Sequence, residues 1–149
     1  MQDLRISTAV EDQDIALIHR WLSERSTWAI GIPLETVRTS IAHSLNFGGF
    51  VGASQVAFAR VVTDHATFAY LADVFVLEEH RGRGYGFAVV SAAMAHPALR
   101  GLRRFLLATS HAHALYGRFG FTAPAKPQAL MERFDPDAYR PRRAVDPAR

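Results

Sequence analysis

The stretch Ala69-Tyr-Leu-Ala-Asp-Val-Phe-Val-Leu77 constrains this chain most, because Asp73 is its single charge and every other residue is apolar. Such a run suits a central strand covered on both faces, so the fold must place layers on either side of a sheet. The run leads into a glycine-rich turn, Glu79-His-Arg-Gly-Arg-Gly-Tyr-Gly86. After it, Phe87 to His96 is alanine-rich, has good helix propensity, and is stopped by Pro97.

The flanking patterns supply the covering layers. From Glu11 to Arg25 the residues Ile15, Leu17, Ile18, Trp21 and Leu22 recur mostly at three- and four-residue spacing, which predicts an amphipathic helix. Gly31-Ile32-Pro33 breaks the chain, and Leu34 to Leu45 predicts a second helix that Asn46 closes. Phe47–Val51, Gln55–Val62 and Ala66–Leu77 then read as an antiparallel meander separated by short turns. A strand over Arg103–Thr109, a helix over His111–Phe119 and a last strand over Leu130–Phe134 complete the expectation. The predicted order is α-α-β-β-β-α-β-α-β, a mixed, mostly antiparallel α/β sheet with helices on both faces. Residues 1–134 are expected to form one domain and 135–149 a C-terminal tail.

Composition narrows the function. With 149 residues, 49% of them hydrophobic and 21% charged, the chain suits one globular domain rather than a disordered segment. No apolar run reaches the roughly 18 residues needed to span a bilayer, and the acidic start does not resemble a signal peptide, so no membrane association and a cytoplasmic location are expected. The chain contains no cysteine, which excludes a disulfide, a thiolate metal site and a cysteine nucleophile; no metal is expected. The net charge of +3 is spread over dispersed arginines, with small clusters at Arg81/Arg83 and Arg140/Arg142/Arg143. A nucleic-acid partner is therefore not expected.

The glycine turn is the strongest chemical signal. Between a buried strand and a helix, Gly82, Gly84 and Gly86 permit backbone conformations that aim several N–H groups into one concavity, at the positive end of a helix dipole. Arg81 and Arg83 add bidentate donors suited to phosphate. A P-loop is excluded because no Gly-Lys-Ser/Thr closes the turn, and a dinucleotide fingerprint fails because Phe87 stands at its third glycine position. A tight strand-to-helix turn with exposed arginines is the plainer alternative.

At these residues the sequence resembles the GNAT superfamily of N-acetyltransferases. Arg81, Gly84 and Gly86 match the family's signature turn, which holds the pyrophosphate of acetyl-coenzyme A through backbone amides. Asp73-Val-Phe-Val-Leu77 looks like the family's splayed strand, so Val74, Phe75 and Val76, with Arg81, Gly82, Arg83, Gly84, Tyr85 and Gly86, are the expected cofactor-binding residues. Leu106-Leu-Ala-Thr109 followed by Ala114-Leu-Tyr-Gly-Arg-Phe-Gly-Phe121 looks like the second cofactor motif. These motifs cover roughly Ala66 to Phe121 in the family's order and imply direct acetyl transfer from acetyl-CoA to a primary amine of a small molecule or peptide. An acyl-CoA-binding domain without catalysis is the alternative, and a homodimer is an open expectation.

The resemblance also assigns roles. A backbone N–H of Phe75 or Val76 would polarise the thioester carbonyl, and Tyr116 matches the tyrosine that protonates the leaving thiolate; its alternative is a packed tyrosine with a hydrogen-bonded hydroxyl. Asp73 is a candidate general base or else half of a structural ion pair. Strict strand alternation would put Asp73 on one face with Leu71 and Phe75 unless a bulge re-aims it. His111 and His113 read as surface histidines. Trp28, Ile30 and Ile32 either line the acceptor pocket or simply pack between the helices.

Overall fold

The computed structural model describes residues 3–141, so Arg142 and Arg143 of the basic cluster lie outside the described residues. Five strands form one sheet in chain order: β1 (Arg5–Ser7), β2 (Leu45–Val51), β3 (Ser54–Thr63), β4 (Phe68–Val76) and β5 (Arg104–Leu107). Neighbours from β1 to β4 are antiparallel, and β5 joins β4 in parallel. A parallel pair needs a crossover, which helix α3 (Tyr85–Ala95) supplies.

Helices α1 (Ile15–Arg25) and α2 (Leu34–Ala42) cover one face of the sheet, and α3 covers the other. Ile18, Leu22, Val37 and Ile41 pack with Phe58 and Phe75 in one core, while Val89, Val90 and Ala93 of α3 pack on Phe47, Ala57, Ala59, Val61, Ala69 and Leu71 in the other. The short helix α4 (His113–Gly117) adds Tyr116 to the α3 core. Asp14 starts α1 by accepting the Leu17 N–H at 3.1 Å, which explains why the helix begins later than the periodicity from Glu11 suggests.

The sheet carries a bulge in β4. Phe58 pairs with Phe75, but Arg60 pairs with Ala72, so Asp73 and Val74 together oppose Ala59. Asp73 sits at φ 55°, the left-handed region, which Asp tolerates better than most residues. The extra residue reverses side-chain parity: Ala69 and Leu71 face α3 before the bulge, whereas Val74 and Val76 do so after it and Phe75 turns to the opposite core. Asp73 is thereby aimed at Arg60, whose Nε donates to Oδ2 at 2.9 Å; the two side chains are only 9% and 17% exposed.

Two expectations about element order are corrected. A first strand, β1, precedes the helices; its three residues are too few and too polar to show a pattern. The strand expected over Leu130–Phe134 does not form, leaving Met131 96% and Phe134 74% exposed. The sequence alternation there is weak, Pro124, Pro127 and Pro136 surround it, and a strand exists only when a neighbour completes its ladder. The observed order is β-α-α-β-β-β-α-β-α. Asn46 closes α2 from within β2, its Nδ2 donating to the carbonyls of Ile41 and Ser44 at 2.9 and 3.2 Å.

The ion pair holds the bulge in place. Arg60→Met strands a largely buried carboxylate and is expected to lower unfolding stability by about 3 kcal/mol in urea denaturation. Adding Asp73→Asn, which keeps the shape and removes the charge, should restore most of that loss; a double variant no more stable than Arg60→Met would place the cost elsewhere.

Candidate functional site

The site forms where β4 and β5 part. Their pairing runs from Phe68 with Arg104 to Leu71 with Leu107 and then stops, while β4 continues to Val76. The Leu77 N–H donates to the Val56 carbonyl at 2.9 Å, so strand alternation turns the Phe75 amide towards β3 and the Val74 and Val76 amides towards the gap beside β5. Of the two expected carbonyl-polarising donors, Phe75 and Val76, this register leaves Val76. The Arg81 Nε donates to the Val76 carbonyl at 3.1 Å, which ties the turn to that open edge.

The turn itself has the form needed to cradle an anion. Gly82 and Gly84 adopt φ of 77° and 80°, and a Cβ built at either would meet no protein atom within 4 Å. Glycine is required there by backbone conformation, and the space beside it is open. Gly84 directly precedes the first turn of α3, where unpaired amides and the helix dipole favour negative charge. Arg81 and Arg83 are exposed beside it. Tyr85 contributes its ring to the α3 core, 6.4 Å from the His80 ring, and Gly86 packs its backbone near Val76.

Tyr116 lies on the same side of the sheet. Its ring is 8% exposed and meets Phe121 edge-on at 6.2 Å. Among the described residues its hydroxyl has no hydrogen-bond partner. Burial raises its phenol above the ordinary tyrosine value, so the proton stays on. His111 and His113 are exposed at the start of α4, as expected.

Asp73 faces the α1/α2 side. Its Oδ1 accepts from the Trp28 indole N–H at 2.9 Å while Oδ2 accepts from Arg60, and Arg60 Nη1 also donates to the Ser44 hydroxyl at 3.1 Å. Arg60 is the residue that sequence reading missed; it sits 13 positions before Asp73, and only the bulged register joins them. Trp28 and Ile30 are exposed, whereas Ile32 is buried in the α1/α2 core. No helix among the described residues is long and apolar enough to cross a membrane, and no cluster of His, Asp and Glu among them is arranged to hold a metal ion.

Comparison with known proteins agrees with this geometry. The model of the acetyltransferase (GNAT) family matches residues 15–121. A candidate acetyltransferase of Gibberella zeae is 29% identical over 138 residues, covering 78% of this chain and 77% of its own. The crystal structure of a candidate GNAT-family acetyltransferase from Xanthomonas campestris pv. campestris is 60% identical, with a TM-score of 0.92 over 95% of this chain and 99% of that one. A predicted acetyltransferase of Clostridium acetobutylicum, solved with acetyl-CoA, shares the fold at a TM-score of 0.62 and 13% identity, over 90% of this chain and 96% of that one. The open edge of β4, the glycine turn capping α3 and the family match over most of the domain lead to one conclusion: this chain belongs to the GNAT family of acetyltransferases.

Proposed function

We propose that the protein transfers an acetyl group directly from acetyl-CoA to a primary amine. The observation that carries this reading is the junction of the open Val76 edge with the Gly82–Gly84 turn, since an extended amide-bearing chain that ends in phosphate needs both a strand to lie against and an anion cradle. Acetyl-CoA supplies the activated acetyl thioester. The Val74 and Val76 backbone groups offer hydrogen bonds along the gap, and the amides from Gly82 to Gly86, with Arg81 and Arg83, offer donors to phosphate oxygens.

The remaining roles are part of the same proposal. The Val76 N–H is a fixed donor for a carbonyl oxygen that gains charge as the amine attacks, and such a donor contributes about 10²–10³ in rate. The Tyr116 hydroxyl, unpartnered and protonated, gives its proton to the departing thiolate. Asp73 is better suited to positioning than to general base work: its charge is compensated by Arg60, both oxygens already accept hydrogen bonds, and taking a proton there would break the pair that holds the bulge. The amine then loses its proton to water.

Gly84→Val tests the cradle. Valine at φ 80° costs roughly 1–2 kcal/mol of stability and fills the open space beside the amides. Calorimetry should show CoA affinity lowered by more than about tenfold in a folded variant, and unchanged affinity would refute the cradle.

Tyr116→Phe tests the acid. The ring and its packing persist, so CoA affinity should hold while kcat falls by about 10–10³-fold in a thiol-release assay. The raised phenol pKa means that the protonated form outlasts the ordinary tyrosine range as pH rises, so wild-type kcat should show no loss from this group until above about pH 10. An unchanged kcat in Tyr116→Phe, with acetyl transfer rate-limiting, would leave the thiolate to be protonated by another donor; CoA binding with no thiol released from any amine would favour a binding domain without catalysis.

A further inference from the structure

The α1/α2 face of the sheet is only partly covered. Ala59 and Val61 point into the α3 core, so Arg60 and Val62 project from the other face; by the same alternation, Phe68 and Tyr70 project there from β4 and Leu106 from β5. Val62, Phe68 and Tyr70 are all exposed. Val62 is the register partner of Tyr70, and Tyr70 that of Leu106, so these side chains form one apolar floor. Arg60 and its partner Ala72 are the next same-face pair along β3 and β4, roughly 7 Å away, and Asp73 follows at the bulge.

Trp28 stands at the bulge end of this floor. Its indole N–H is fixed on Asp73, and its ring lies 5.7 Å from Trp21 at a 50° tilt; Trp21 in turn stacks on Phe75 at 4.2 Å. The indole is therefore held through a hydrogen bond and an aromatic neighbour while the residue remains 52% exposed. A rigid aromatic with an open face is a low-entropy binding surface. The Asp73 that anchors it precedes Val74 and Val76, whose amides line the proposed transfer site, so the floor continues directly from that site.

The charges on this face separate two kinds of amine. Asp73 and Arg60 neutralise each other, and the far end of the floor carries one charge of each sign: Arg104, the register partner of Phe68, and Asp64, whose Oδ1 accepts the Phe68 N–H at 3.1 Å. No net charge is left here to recruit a polycation, whereas a flat uncharged body meets indole, phenol and aliphatic surface.

Resting on the acetyltransferase reading, we infer that the acceptor is a primary amine carried on a flat, uncharged apolar body, with Trp28 as the specificity-determining wall and Tyr70 and Val62 as the floor. Asp73, through Trp28, is a positioning residue for this subsite. The alternative occupant of this surface is a second copy of the chain, and the experiment separates the two.

The full chain is assayed for thiol release from acetyl-CoA with 2-phenylethylamine, n-propylamine and spermidine, and its two tryptophans report amine binding by fluorescence. The expected result is a kcat/KM for 2-phenylethylamine at least about tenfold above those for the other two amines. Trp28→Ala should raise KM for 2-phenylethylamine more than it lowers kcat and bring the three values together, and Trp28→Phe should recover part of the preference, with acetyl-CoA affinity measured in each variant as the check on folding. Equal kcat/KM for the three amines, or a preference that survives Trp28→Ala, overturns the inference and leaves acetyl transfer standing. Quenching by 2-phenylethylamine that is lost in Tyr70→Arg, which keeps both tryptophans, with no thiol released from any amine, supports the subsite and counts against acetyl transfer. Absence of quenching overturns the subsite; a dimer in sedimentation that Tyr70→Arg dissociates would then assign the face to self-association.

Discussion

The bulge at Asp73 and Val74 is the constraint on which the rest of the structure depends. One extra residue opposite Ala59 switches the parity of β4, so a single strand feeds the α3 core through Leu71, Val74 and Val76 and the α1/α2 core through Phe75. Without it, strict alternation would place Asp73 and Phe75 on the face that holds Leu71, burying a carboxylate in the apolar core under α3. The left-handed backbone at Asp73 costs about 1–2 kcal/mol, which the hydrogen bonds from Arg60 and Trp28 can offset. The strained residue and its partners are thus parts of one device.

The bulge also accounts for the open edge. A bulged strand bends and twists more strongly, so β4 cannot keep company with β5 beyond Leu71 and Leu107. In most sheets unpaired strand edges are liabilities that invite aggregation. Here the edge lies inside a gap, flanked by the α3 turn, with the Arg81 side chain occupying the Val76 carbonyl. The protein exposes backbone donors where an amide-rich ligand can complete the ladder.

Sequence legibility followed the range of the interactions involved. The glycine turn was readable because its requirement is local: Gly82 and Gly84 both adopt positive φ, and nothing distant is needed to explain them. The two amphipathic helices and the meander were readable from periodicity, with shifts at their ends set by caps such as Asp14. The ion pair of Arg60 with Asp73 was not readable, because only the register of two strands and one inserted residue bring those groups together. Leu130–Phe134 misled for the converse reason. Its apolar residues Leu130, Met131 and Phe134 invite a strand reading, but strand formation depends on a partner that no local pattern announces. Asn46 closes α2 as its sequence position suggests, but the helix stops at Ala42 rather than Leu45, since Leu45 and the capping Asn46 already belong to β2.

The division of labour between the two faces follows from the same parity switch. Tyr116, the α3 turn and the side chains of Val74 and Val76 lie on one side of the sheet, while Trp28, Asp73, Arg60 and Tyr70 lie on the other. A donor and an acceptor that approach from opposite sides can meet only where the sheet itself is interrupted. The interruption is the gap that opens beyond Leu71, and the residue at the bend of β4 is the one that holds the Trp28 indole. On the proposed reading, acceptor surface and transfer site are therefore set by one backbone feature, the bulge that the pairing of Asp73 with Arg60 holds.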